Sequence, residues 1–149
     1  MDTVSYPDAH VSDYIAENFV PARVQLDRRE HWPLFREYHV IWTPSFGFLD
    51  RNGAMHHVAA GFLPPSEFLS LLRIGKARCL MAWTRSREAA AHLEAAAQAG
   101  DTMAAEALWW LGVARFMERR DTPGMWEAWN RLTSKYPDSP WALRVYPME

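Results

Sequence analysis

Tyr38-His39-Val40-Ile41-Trp42-Thr43-Pro44-Ser45-Phe46-Gly47-Phe48-Leu49-Asp50-Arg51-Asn52-Gly53 is the stretch that decides the fold. It reads as an apolar approach, a Thr-Pro step, a short strand and a tight Asn-Gly turn. Proline has no N–H to give a ladder, so Pro44 belongs at the first residue of a strand, and an X-Pro bond is one where cis is accessible. Asn52-Gly53 suits the left-handed angles of a two-residue hairpin turn. A second strand is predicted over Ala54 to Ala60, followed by Gly61.

Working upstream, Pro7-Asp8 starts a helix, and Val11, Tyr14, Ile15, Asn18 and Phe19 fall on one of its faces. The period then changes to two. Ala22, Val24 and Leu26 alternate with Arg23 and Gln25, which predicts a half-exposed strand over Val20 to Asp27. Asp27 with Glu30 has the spacing of a capping box for a short helix through Trp32, Leu34, Phe35 and Tyr38.

Downstream, Pro64-Pro65-Ser66-Glu67 opens a helix that buries Phe68, Leu69, Leu71 and Leu72, with Gly75 as its expected end or kink. The composition shifts near Thr84, and nothing beyond Ser86 reads as a strand. An Ala-rich helix over Glu88 to Ala99 is closed by Gly100, and Asp101 caps the next, which runs to about Arg120. Thr122-Pro123 starts another, lined by Met125, Trp126, Trp129, Leu132 and Tyr136. Ser139-Pro140 repeats that signal before Trp141. The predicted fold class is therefore α/β (α+β), with a domain over residues 1–84 and an all-α region over 85–149.

The chain has 149 residues, 49% of them hydrophobic, and a net charge of −2. That charge makes no electrostatic case for nucleic acid or an acidic membrane surface. A single cysteine, Cys79, excludes an intramolecular disulfide. No apolar run approaches the ~18–20 residues of a membrane span, and Met1-Asp2-Thr3-Val4-Ser5 lacks the features of a signal peptide. The expectation is a cytoplasmic protein with no cofactor and no membrane partner.

In combination, the helix, the strand Val20 to Asp27, the next helix, Thr43-Pro44, the hairpin Phe46 to Ala60, Gly61 and the Pro64-Pro65 helix resemble the thioredoxin-like superfamily over about half the chain. The resemblance implies a cis Thr43-Pro44 bond; the residues alone leave both isomers open. It also implies that the loop at Thr43 and Pro44 binds extended peptide through backbone groups, against the plainer reading of a turn that only shapes the hairpin; Trp42 beside it either covers such a peptide groove or simply packs. The second half resembles a tetratricopeptide-type helical hairpin. Leu111-Gly112 stands for its Leu-Gly pair, Trp129 and Leu132 for its packing positions, and Tyr136-Pro137 for its closing proline, with a one-residue insertion near Asp121. An array of such repeats normally needs about 3 to stand alone, so this hairpin is expected to pack on the first half or on a neighbour.

One departure matters more than the match. No Cys-x-x-Cys pair and no strand ahead of Pro7 are present. In the family the missing strand lies between those corresponding to Val20–Asp27 and Phe46–Asp50, so its loss leaves two facing edges unpaired. Three outcomes follow: the chain is part of a longer protein, the two strands pair directly into a sheet of about three strands, or a partner chain fills the gap.

Catalytic candidates are few. Arg78 beside Cys79 favours a thiolate, against the plainer reading of a buried, idle thiol, and dithiol exchange within one chain needs a resolving cysteine that is absent. A link between two chains through Cys79 is a weaker idea. His56-His57, with His31 and His39, invites a metal reading, but neighbours in a strand point to opposite faces. No Ser-His-Asp set and no phosphate loop can be assigned. Catalytic and metal-binding residues are thus both expected to be none. Adjacent Trp109 and Trp110 cannot both face one side of a helix, so with Trp126 they are interface candidates.

Taken together, these readings give a non-catalytic interaction or scaffolding module whose partner is a protein or extended peptide. The incomplete sheet and spare aromatics also predict homo-oligomerisation. The alternative is the C-terminal part of a thiol–disulfide oxidoreductase whose Cys-x-x-Cys segment lies upstream.

Overall fold

The structure is a computed structural model that describes residues 1–145. Its described residues form an α+β fold: α1 (Ala9–Asn18), α2 (Trp32–Glu37), β1 (Ser45–Leu49), β2 (Met55–Ala60), α3 (Pro65–Ala82), α4 (Ser86–Ala99), α5 (Ala104–Arg119) and α6 (Pro123–Lys135). None of the helices is long and apolar enough to cross a membrane. Residues 146–149, which follow the last expected helical turn, lie outside the described residues.

Some helix starts follow their expected capping chemistry. Asp8 caps α1 by accepting from the N–H groups of His10 and Val11, which would otherwise lack partners. α3 and α6 both open on a proline, where the missing N–H costs nothing. Asp101 Oδ1 accepts from Met103 N at 2.9 Å just ahead of α5. Ser139 Oγ accepts from Ala142 N at 3.1 Å and sets the 3-10 turn Ala142–Arg144. Thr122 precedes α6 but makes no side-chain cap bond.

Four expectations are corrected. Val20 to Asp27 is not a strand. The backbone groups of Val20 to Val24 make no hydrogen bond among the described residues, and alternation without a partner strand gives no ladder. The sheet is accordingly two-stranded, β1 against β2 antiparallel, and not three-stranded. The box at Asp27 and Glu30 does not form: a 3-10 turn over Arg29–His31 leads into α2, and neither end has a side-chain cap. The hairpin turn centres on Arg51 and Asn52, not on Asn52-Gly53. Gly53 N donates to Asp50 O at 2.9 Å and Gly53 takes φ 81°, the longer loop in which glycine follows the turn.

Gly75 corrects a further expectation. It neither ends nor kinks α3, which runs on to Ala82. Phe48 of β1 lies flat on it, and a Cβ there would sit inside the ring. The glycine lets the hairpin approach α3 backbone. Gly112 in α5 does the same beneath Trp129, whose Nε1 donates to Trp109 O at 3.0 Å.

The core has two clusters, and α3 belongs to both. Phe68, Leu71 and Leu72 meet Val11 and Phe48 in one. Ile74, Ala77, Leu80 and Met81 meet α4, α5 and α6 through Leu93, Leu108, Leu111 and Leu132 in the other. Burial of each such large side chain contributes about 1.5–3 kcal/mol.

Candidate peptide-binding site

Ladder bonds alternate along β1. At one end Pro44 O accepts from Gly61 N at 2.8 Å, and at the other Asp50 N donates to Ala54 O at 2.9 Å. Positions 44, 46, 48 and 50 therefore face β2, and the N–H and C=O groups of Ser45, Gly47 and Leu49 face away from it. No strand lies on that side, and none of these groups bonds to a turn, loop or helix among the described residues. β1 thus carries a free edge with no charge or proline along it to discourage pairing.

The side chains alternate as well. Phe46 and Phe48 point to the core, where Phe46 packs at a tilt against Phe68, their ring centroids 4.8 Å apart. The opposite face carries Leu49, 39% exposed, and Val58, 56% exposed, with Met55 lying over Gly47. This two-stranded sheet is therefore apolar on both faces, a pattern typical of strands covered on both sides.

Thr43-Pro44 leads into this strand, and its peptide bond is cis. Ser45 Oγ donates to Trp42 O at 2.6 Å, which fixes the approach. Thr43 is exposed, and its N–H and C=O make no hydrogen bond among the described residues. Trp42 is 70% exposed and Ile41 95%. The loop and the free edge are continuous, so the three peptide-binding residues expected from the sequence lie at the start of an open strand.

At the far end of β1 the hairpin turn is pinned by Asp50. Its carboxylate accepts from Asn52 N, Ala54 N, His56 Nε2 at 2.9 Å and Trp83 Nε1 at 3.2 Å. The bond from His56 leads these in holding its pKa down at about 2. Arg51 stacks on Trp83 at 4.1 Å. A surface pocket of about 390 Å³ opens here, and Cys79 lines it with Leu49, Lys76 and Leu80. Burial, and then the Asp50 charge, push the Cys79 thiol above its ordinary range, so it is held as a thiol rather than activated. Cys79 and Thr43-Pro44 serve opposite ends of β1, about 15 Å of strand apart.

The histidines divide as strand geometry requires. His56 turns to Asp50, while His57 faces Glu106 of α5 at 3.8 Å. His57 Nε2 is buried without a hydrogen bond. Burial first and Arg78 second bring its pKa down to about 4. Burial also raises Glu106. Among the described residues no group of His, Cys, Asp or Glu converges as metal ligands would.

The three interface tryptophans are half-buried. Trp109 and Trp110 meet edge to face at 4.7 Å, and Trp109 also packs on Trp129 and Trp141. Trp110 lies under Arg78, 3.7 Å away. Trp126 meets Trp129 at 5.5 Å. The C-terminal turn at Trp141 brings the adjacent pair into one aromatic cluster.

Sequence reasoning missed the Asp50 hub and the free edge. Asp50 standing three residues before Gly53 was the available signal for the first. For the second it was apolar residues at both odd and even positions of Phe46 to Leu49. No family model matches the chain, and no curated protein or solved structure matches it either.

Proposed function

We propose that this chain is a non-catalytic protein-interaction module, thioredoxin-like in its first half and tetratricopeptide-like in its second. It takes an extended polypeptide segment along β1 and the Thr43-Pro44 loop. The observation that carries this reading is the free edge of β1, whose unpaired groups at Ser45, Gly47 and Leu49 match what strand addition uses for affinity. Exposed Trp42 supplies a rigid apolar anchor beside it. The partner is a protein or extended peptide rather than nucleic acid or membrane, no cofactor is required, and the setting is cytoplasmic. Selection from a random dodecapeptide display library tests this. Enriched peptides should bind in extended form, and Gly47→Pro, which removes an outward N–H that the hairpin does not use, should abolish binding. Trp42→Ala should weaken it. Binders indifferent to both substitutions, or no binders at all, would sink the reading.

A second reading is favoured by one observation. Val20 to Val24 is also without backbone hydrogen bonds, so two segments, not one, lack a neighbour. That fits the C-terminal part of a thiol–disulfide oxidoreductase whose strand and Cys-x-x-Cys helix lie upstream. Insulin reduction by an upstream-extended chain, but not by this one, would establish it.

A further inference from the structure

We infer that α1 is an acid-released strap over the first cluster of the core, with the contact between Tyr14 and His92 as its catch. Val11 of α1 is fully buried in one cluster with Phe48, Phe68 and Leu71. Phe19, just past the helix end, packs on Phe48 with ring centroids 5.8 Å apart. Beyond this packing, two long-range hydrogen bonds fasten the helix. Tyr14 Oη and His92 Nδ1 of α4 stand 2.8 Å apart, and among the described residues this is the one hydrogen bond joining α1 to α4. Lys76 Nζ of α3 donates to Asn18 O at 2.9 Å, in the last turn of α1. Arg73 of α3 lies beside them. Its guanidinium is 5.8 Å from the centre of the Tyr14 ring and donates to Ala95 O of α4.

His92 is the member of this set that titrates near neutral pH. Its half-buried ring meets the Tyr14 ring edge-on, with centroids 5.9 Å apart. With the ring proton at Nε2, Nδ1 accepts from the Tyr14 hydroxyl, which burial keeps protonated. A second proton fills that acceptor and sets a third positive charge beside Lys76 and Arg73. Little offsets it. Glu88, one turn earlier on α4, already gives both oxygens to Arg85. Glu94 of α4 is taken by Arg115 of α5 and Arg131 of α6, and Asp13 and Glu17 of α1 are exposed. Neither cation can retreat without loosening α1, because Lys76 holds Asn18 and Arg73 lies against Tyr14. Burial first, then Lys76 and Arg73, lower the pKa of His92 from its ordinary 6.5. The released ring, open to water, therefore takes up a proton before the fastened one. The strap is held above pH 6.5 and lost as pH falls below it.

Amide hydrogen exchange of the whole chain, read by mass spectrometry and normalised to the intrinsic rate at each pH, tests this with α5 as the internal reference. Between about pH 7.5 and about pH 5.5, protection of α1 should fall about two- to tenfold further than that of α5, the range for one lost hydrogen bond. His92→Asn keeps an oxygen where Nδ1 stands and does not titrate, so α1 should hold its protection over the same interval. Tyr14→Phe keeps the ring without the hydroxyl. It should lower α1 protection by about two- to tenfold already at about pH 7.5. Three results would overturn the inference: α1 amides that exchange freely in wild type at the higher pH, α1 that loses protection only in step with α5, or His92→Asn that loses as much as wild type.

Discussion

Two aromatic rings, Trp129 and Phe48, each lie on a helix glycine, Gly112 in the helical half and Gly75 beneath the hairpin, yet the surroundings of the two differ. Around Trp129 the aromatic contacts continue to Trp109, Trp126 and beyond to Trp141, and among the described residues of this region only Phe116 and Leu143 are exposed large apolar side chains. Around Phe48 the packing stops after one layer. Val20, Val24, Leu26, Ile41, Trp42, Val58 and Phe62 all stand exposed in the first half. The same local device thus serves a region whose helices bury one another and a region with an open edge and an uncovered sheet face. Helices satisfy their own backbone, so α4 to α6 need only bury their stripes; strands must find neighbours. The open half is where the proposed partner would dock.

Substitutions can break this contrast or sharpen it. The largest effect is expected from Leu111→Ala. Leu111 is fully buried among α3, α4 and α6, and its truncation should cost about 2–5 kcal/mol in chemical denaturation. A loss below 1 kcal/mol, on the same scale, would mean the helical half is not packed as described. Gly75→Ala and Gly112→Ala come next, at about 1–3 kcal/mol each, since a methyl group must displace an aromatic ring. If Gly75→Ala were neutral, the hairpin would not be seated on α3.

A pH dependence should be smaller, and His57, where the hairpin meets α5, is one source of it beside His92, whose pKa burial also lowers. The folded pKa of His57, about 4, lies below its ordinary 6.5. The unfolded chain therefore takes up a proton first, and the stability is present above pH 6.5 and lost as pH falls toward 4. Glu106, raised by burial, works in the opposite sense, so the comparison needed is with His57→Gln. Its Tm should fall less than that of wild type over that interval; parallel curves would remove His57 as the cause. The smallest effect is expected from Val20→Ser, 98% exposed, within about 0.5 kcal/mol. A large loss there would show that the run Val20 to Val24 is packed after all.

Legibility in the sequence followed the same divide. Helices were readable because their signals are local: Asp8, Pro65 and Pro123 each act on the turn beside them, and buried stripes repeat within one element. The strand expected over Val20 to Asp27 was not, because alternation records which side chains are apolar and says nothing about whether a neighbour exists to pair with. Gly75 was misread for a related reason. As a letter it marks a helix stop, and only Phe48, 27 positions earlier in the chain, turns it into a seat for the hairpin. Of the candidate site, the Thr-Pro step was legible, whereas the exposure of Trp42 was not, since the letter suits a packed ring equally well. The direction in which each β1 amide points was not, since it depends on register against β2.

α3 carries a further consequence. Gly75, which seats the hairpin, directly follows Ile74, which belongs to the helical cluster. One rigid helix thus holds the last contact of one region and the first of the next with no spacer between them. Strain arriving at Phe48 from anything bound along β1 has no hinge in which to dissipate before it reaches α4 and α5. The pair Ile74-Gly75 is therefore where the two clusters meet within one helix, and residues 85–145 made alone would leave α4 without the α3 surface it packs against.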